Sequence, residues 1–279
     1  MSRALLGVDF TSAPSPRKPI TVARGRRHGE HLALERIDRL PDWQGFEALL
    51  REPGPWLGAF DFPFGLPRQA VADLGWPLDW AALVRHCAGL SRARLREIFD
   101  AYRAGRPAGD KYPHRATDLP AGSHSPVKLV NPPVALMFHE GAPRLLQAGV
   151  RVPGLYEGDE TRIALEGYPG LTVRAITREP YKNDAPSKQT AARREARADI
   201  ISTLRAGRPL GIRLRCTSAL DRRLLDDATG DSLDAAVCAM QAAWAEVRAG
   251  DNFGLPARID PLEGWILTAG ADAEARMRA

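Results

Sequence analysis

Apolar and polar positions alternate in short runs near the start of the chain and fall into helical spacings further on. Residues 4–10, 19–25 (PITVARG) and 31–37 (HLALERI) carry apolar side chains between turn-forming Pro, Arg and Gly, which predicts three strands in an antiparallel meander. Residues 41–51 (PDWQGFEALLR) place Trp43, Phe46, Leu49 and Leu50 at helical spacing, and WLGAFDFPFGLP returns to an apolar strand. A strand, a crossover helix and a parallel strand in one sheet connect right-handedly, which sets the fourth strand beside the first. The apolar runs of these two strands end around Asp9 and Asp61, so the two carboxylates are expected to face each other.

Between about 68 and 160 the texture changes. Helical spacings in QAVADLGW, DWAALVRHCAGL and RARLREIFDAYRAG give way to a Pro-, Gly- and His-rich stretch whose end turns helical again. Leu129, Val130, Val134, Leu136, Met137 and Phe138 give it apolar surface to bury, so it reads as an insertion and not a linker. Regular structure resumes with the strand TRIALEGYPG, whose end carries Glu166, and with a basic helix in SKQTAARREARADIISTLRAG. Further on, Leu233, Val237, Met240, Ala243 and Trp244 recur at helical spacing, with Asp231 or its neighbour Gly230 capping that helix. EGWILT reads as a final strand and residues 270–279 as a frayed polar tail.

Composition narrows the class. A chain of 279 residues, 44% hydrophobic and 26% charged, can bury a full core as one α/β domain over 1–269 with an insertion at about 90–160. Cys87, Cys216 and Cys238 are far apart and odd in number, which argues against a disulfide framework or a zinc site and fits a reducing cytoplasm. No stretch reaches the roughly 18 to 20 apolar residues of a membrane span, so no membrane partner is expected, and no obligate protein partner is inferred. The net charge of +5 permits an anionic partner such as nucleic acid without requiring one.

The acidic residues carry the candidate chemistry. Asp9, Asp61 and Glu166 sit at or just past the ends of apolar strands, and Asp231 and Asp234 lie one turn apart on the same face of a helix. Each has a bland alternative: Asp9 as the cap of the turn built by Thr11, Ser12 and Pro14, and Asp231 with Asp234 as partners of a helix dipole. The coincidence of several such positions favours a site. Converging carboxylates repel one another unless a cation neutralises them, and an oxygen-only donor set selects Mg²⁺ or Mn²⁺ over zinc. Metal-assisted phosphodiester hydrolysis is the chemistry that uses such clusters.

GVDFTSAP, FDFPFGLP, LEGYPG and DSLDAAVCAMQAAW, taken in order, resemble the DUF429 family, a group predicted to be nucleases with a ribonuclease H-like fold. The resemblance spans nearly the whole chain. It implies an α/β ribonuclease H-like mixed sheet, with the antiparallel meander followed by parallel strands, flanked by helices. It also implies metal ligands from the first strand, the fourth strand and a C-terminal helix, here Asp9, Asp61 and Asp231 with Asp234. The D-x-x-D-A spacing at 231–235 resembles that of Holliday-junction resolvases. Glu166, in the family-typical E-x-Y-P motif, is carried over as a catalytic residue that either binds metal or orients a neighbour.

Lys111, Tyr112, His114, Arg115 and Lys128 in the insertion, and Tyr181 with Lys182, combine cations with aromatics as a nucleic-acid surface does. Lys111, His114, Arg115, Lys128 and Lys182 are the candidate substrate-binding residues, with a solvated basic loop as the alternative for each. The insertion is expected to lie over the strand ends and to bring Arg115 or Lys128 to the acidic cluster. His114 is either a proton shuttle or an ordinary histidine, while Phe60, Phe62 and Trp244 read as core. The expected activity is therefore that of a Mg²⁺- or Mn²⁺-dependent nuclease on DNA or RNA. A nucleotide-binding phosphotransferase of the same superfold needs a Gly-rich phosphate loop after the first strand, and TSAPSPRKP has no glycine. A non-catalytic binding module, with the acidic cluster serving stability, stays open.

Overall fold

The computed structural model describes residues 3–270; most of the expected frayed tail, 271–279, lies outside the described residues. The meander forms as the alternation predicts, with β1 (Ala4–Asp9) antiparallel to β2 (Ile20–His28) and β2 antiparallel to β3 (His31–Leu40). The crossover helix α1 (Trp43–Arg51) begins where the Asp42 carboxylate accepts the Gly45 N–H at 2.8 Å, and it delivers β4 (Trp56–Phe60) parallel to β1. Then come α2 (Arg68–Asp73), α3 (Trp80–Ala88), α4 (Arg92–Ala104), α5 (Asp118–Ala121) and α6 (Val134–Ala148). They lead to β5 (Val150–Arg151), β6 (Asp159–Glu166), α7 (Pro169–Arg174), α8 (Ala191–Arg205), β7 (Arg213–Arg215), α9 (Ser218–Asp226) and α10 (Asp231–Val247).

The seven strands form one sheet in the order β5-β6-β4-β1-β2-β3-β7. Pairing is antiparallel on both sides of β2 and parallel everywhere else, so β2 alone runs against the others. Alternation then sends side chains to two cores. Leu6, Val8 and Phe60 meet Phe46 of α1, Leu83 of α3, Leu95 of α4 and Phe138 of α6. Leu5, Leu57 and Leu165 meet Ile200 of α8, Leu224 of α9 and the long buried face of α10.

The segment read as an insertion thus supplies most of one helical layer and also reaches over the strand ends, where Arg115, His124, Val134 and Met137 border Asp61 and Glu166. Its Leu83, Leu95, Phe99 and Phe138 are fully buried, and that apolar surface is satisfied only against the sheet. The expected last strand, EGWILT, contracts to a single bridge between Ile266 and Glu166, because the chain turns at Gly264 with φ +69°. Among the described residues no helix is long and apolar enough to cross a membrane.

One contact seats α10 against β1. A Cβ on Gly7 would lie 2.0 Å from the Ala235 carbonyl oxygen and 2.1 Å from the Ala239 nitrogen, so the backbone of α10 rests directly on β1. Only glycine at position 7 admits that approach.

Candidate active site

Strand register decides which carboxylates meet. Val8 pairs with Phe60 and Phe60 pairs with Glu166, so these three positions share one face of the sheet. Asp9 and Asp61, each one residue further on, belong to the opposite face, where α10 lies. The Asp61 N–H donates to the Val8 carbonyl at 2.9 Å, which holds the two strand ends side by side. With α10 seated on Gly7 through Ala235, the preceding Asp234 and Asp231 arrive beside Asp9.

Neither helix aspartate is needed as a cap. Gly230 stands at the N-cap with φ +81°, and the side-chain bond to the exposed helix N–H groups comes from Asp227, whose carboxylate accepts Ser232 N–H at 2.9 Å. Of the two expected caps, Asp231 or Gly230, the structure has Gly230. Gly230 also makes room for Lys182 to cross the helix end, since a Cβ on it would sit 2.7 Å from the Lys182 Cβ.

Asp234 is fully buried; its Oδ1 accepts the Tyr181 hydroxyl at 2.6 Å and its Oδ2 takes a close ion pair with Lys182 Nζ. Burial works against the Lys182 charge, but the attraction of Asp234, backed by Asp9, outweighs it and holds the ammonium protonated. The Asp9 carboxyl is pushed well above the carboxylate range by burial and then by the charges of Asp234 and Asp231. Asp61 is pushed up to about 7 by burial and by Asp234, with Lys182 opposing. Burial also raises Asp231, and Lys18, just before β2, pulls the other way. Among the described residues no hydrogen bond reaches the Asp9 or Asp61 carboxylate. The turn after β1 is instead tied by Thr11 and Ser15 hydroxyls, so Asp9 does not cap it.

Glu166 belongs to a different group, on the other face. Its Oε2 accepts Phe64 N–H at 2.9 Å, and the Arg115 guanidinium grips both oxygens at 2.7 and 2.8 Å. Arg115 also donates to Asp118 through Nε at 3.2 Å and Nη2 at 2.9 Å, and to the Glu263 carbonyl at 2.9 Å. All five guanidinium N–H donors are thereby used, at 2% exposure. Arg115 is therefore no open cation for a substrate phosphate, and Glu166 is a buried ion-pair partner on the other face, near enough to Asp61 for its charge to help raise that carboxyl. Burial raises the Glu166 carboxyl although Arg115 opposes it. The insertion does reach the strand ends here, but through a structural ion pair.

The remaining candidates are scattered. Lys111 is exposed on its loop, the Tyr112 hydroxyl accepts from Arg103 at 2.7 Å, and His114 lies 3.8 Å from Asp118 beside the Arg115 group. Lys128 Nζ stands 3.3 Å from His124 Nε2. Of the expected substrate cations, Lys182 is the one paired with the aspartates. The sequence pattern alone does not single out Asp118, Asp227, His124 or Lys18. Lys18 is within reach of inference, since the meander sets Asp9 opposite Thr21 and so brings the start of β2 to the end of β1.

Between the two groups opens a cleft of about 220 Å³, lined by Asp61 and Lys182 at one end and by Phe62, Val134, Met137 and Ile266 along its walls. Among the described residues no group of three or more His, Cys, Asp or Glu is arranged, as the side chains stand, to hold a metal ion. Compared with protein-family models, curated proteins and solved structures, the chain matches none of them.

Proposed function

We propose that the chain is a divalent-metal-dependent phosphodiesterase acting on nucleic acid, a DUF429-type nuclease with a ribonuclease H-like sheet. The observation that carries this reading is the excess of negative charge at one place. Four carboxylates, Asp9, Asp61, Asp231 and Asp234, interact there, with Lys182 and Lys18 as the ammonium groups that oppose them. Burying like charges without compensation is costly, and a cation removes the cost. The strand order β3-β2-β1-β4-β6, with β2 alone reversed, supports the fold part of the proposal.

The donors are of the kind a hard cation takes, oxygen-only, with both oxygens of Asp9 and Asp61 free of hydrogen-bond donors among the described residues, although as the side chains stand they form no metal-holding group. Asp9, Asp61, Asp234 and Asp231 would hold Mg²⁺ or Mn²⁺, which supplies charge stabilisation for the attacking and leaving oxygens of an in-line displacement. Lys182 neutralises Asp234 in the structure, and a bound ion would take over that role. The lysine side chain is 44% exposed, so its ammonium would then be free to meet a substrate phosphate. Lys18, also partly exposed, is ion-paired with Asp184 at 2.7 Å and feels the charges of Asp231 and Asp9 as well.

The test is cleavage of single-stranded, duplex and branched DNA and RNA in Mg²⁺ or Mn²⁺ against EDTA, with Asp9→Asn as the paired variant. Asparagine keeps the shape of Asp9 and removes its charge, so metal-dependent cleavage is expected to disappear while the circular dichroism spectrum stays unchanged. Wild-type protein inert on every substrate in both metals would defeat the proposal.

A further inference from the structure

The cleft beside Asp61 and Lys182 has a character unlike the acidic end it opens onto. Its walls are Phe62, Pro132, Val134, Met137 and Ile266, and the charged groups that reach it from the inner side, Arg115 and Glu166, are consumed by each other. In the same lining the hydroxyls of Ser123 and Tyr168 are taken by Asp118 and Arg174. His124, exposed on the wall, is not consumed by a counter-charge and has Lys128 as its hydrogen-bond partner. Lys128 can only donate, so its contact at 3.3 Å makes His124 Nε2 the acceptor and leaves the proton of the neutral ring on Nδ1. Burial, then Lys128, lowers the His124 pKa and favours that neutral ring. The volume, about 220 Å³, lies below the roughly 300 to 1,000 Å³ of sites for drug-sized ligands, so one ring-bearing unit fills it.

We infer that this cleft receives a single unstacked nucleobase, placing the phosphate attached to its sugar at Asp61 and Lys182. The inference rests on the phosphodiesterase reading and specifies its substrate. A phosphodiester linkage in nucleic acid offers two kinds of neighbour, a polar sugar and a flat, weakly polar base. Apolar walls with one neutral histidine suit the base. A base inside a duplex is stacked on both sides and paired at its edge, and it enters such a cleft only after leaving the helix. The substrate class is therefore a nucleoside phosphate within a single strand, or free in solution, and not an intact duplex.

The experiment separates base binding from catalysis by leaving out metal. In EDTA, saturation-transfer NMR on the full-length protein compares adenosine and cytidine with ribose. The nucleosides are expected to show base-proton saturation at least fivefold above the ribose protons, and Met137→Trp, which fills the cleft from α6, is expected to abolish it. Val134→Phe serves as a second filling variant if Met137→Trp fails to fold. Competition by a short single-stranded oligonucleotide, but not by the same sequence in duplex, assigns the base to a strand; competition by a mononucleotide alone assigns it to the free nucleotide. Equal saturation of nucleoside and ribose, or binding untouched in both folded variants, overturns the inference. Cleft-dependent binding by a protein that cleaves nothing removes the phosphodiesterase and keeps the base site. Equal cleavage of duplex and single strand with no nucleoside binding does the reverse.

Discussion

Two groups of carboxylates stand at the same end of the central strands of one sheet, on opposite faces, and they are built to opposite rules. Glu166 and Asp118 share a guanidinium whose five donors are all matched, with Phe64 N–H and the Ser123 hydroxyl completing the set. Asp9 and Asp61 have no hydrogen-bond donor among the described residues, and their neighbour Asp234 is balanced by a lysine on a flexible stem. A closed, bidentate arginine network fixes geometry and has no capacity left for a ligand. An under-compensated cluster tolerated only through raised carboxyl pKa values retains capacity for a cation. Closeness of acidic residues therefore does not define a site; what defines it is which of them remain unmatched.

The largest effect is expected on the matched side. Arg115→Met leaves Glu166 and Asp118 buried without their cation, and loss of one partner of a buried ion pair costs about 3–5 kcal/mol. Urea unfolding should show that loss with an unchanged denaturant slope. Glu166→Gln in the same background is expected to recover part of it, because one of the two stranded charges is gone. A drop well under 1 kcal/mol for Arg115→Met would erase the contrast between the two faces.

Most of the sheet is legible from alternation, because strands bounded by Pro, Gly and Arg turns leave little freedom in how the meander closes. The meeting of Asp9 and Asp61 follows from the handedness of the α1 crossover alone. Glu166 divides from Asp9 and Asp234, although it borders the same cleft as Asp61, because a strand-end position gives depth along the strand but not the face. The face depends on pairing with Phe60, and an offset of one residue reverses it. In the sequence Arg115 resembles any other cation of a basic loop; its partner Asp118 stands three residues on, whereas Glu166 and Glu263 come from 51 and 148 residues away. The two- and three-residue strands β5 and β7 carry too few positions for a period to register.

A smaller effect is expected on the open face from Lys182→Met. Asp234 keeps the Tyr181 hydroxyl but loses its ammonium, and a buried charge deprived of one of two partners costs roughly 1–3 kcal/mol. The direction with metal sharpens the comparison. If Lys182 fills the place of a cation, millimolar Mn²⁺ should raise the thermal midpoint of Lys182→Met more than that of wild type, since no ammonium competes. Equal metal shifts in the two proteins would mean that Lys182 and the ion do not share the cluster.

The smallest effect, and the most diagnostic in sign, is expected from Asp61→Asn. The ordinary carboxyl value of 3.8 applies to the unfolded chain, while the folded protein holds Asp61 up to about 7, mainly through burial and the charge of Asp234. Between those values the folded state keeps a proton that the unfolded state has released. Stability from this position is therefore fully present below pH 3.8 and is lost as pH rises through about 7. The full displacement corresponds to roughly 4 kcal/mol, and partial exposure of the side chain cuts it to about 1–2 kcal/mol. Asparagine has no proton to lose, so in EDTA Asp61→Asn should match wild type near pH 4 and exceed its midpoint at pH 8. A carboxylate kept for stability would behave oppositely, with the variant weaker at pH 8. The pair of unfolding curves thus reads directly whether the open face carries strain that a cation is there to relieve.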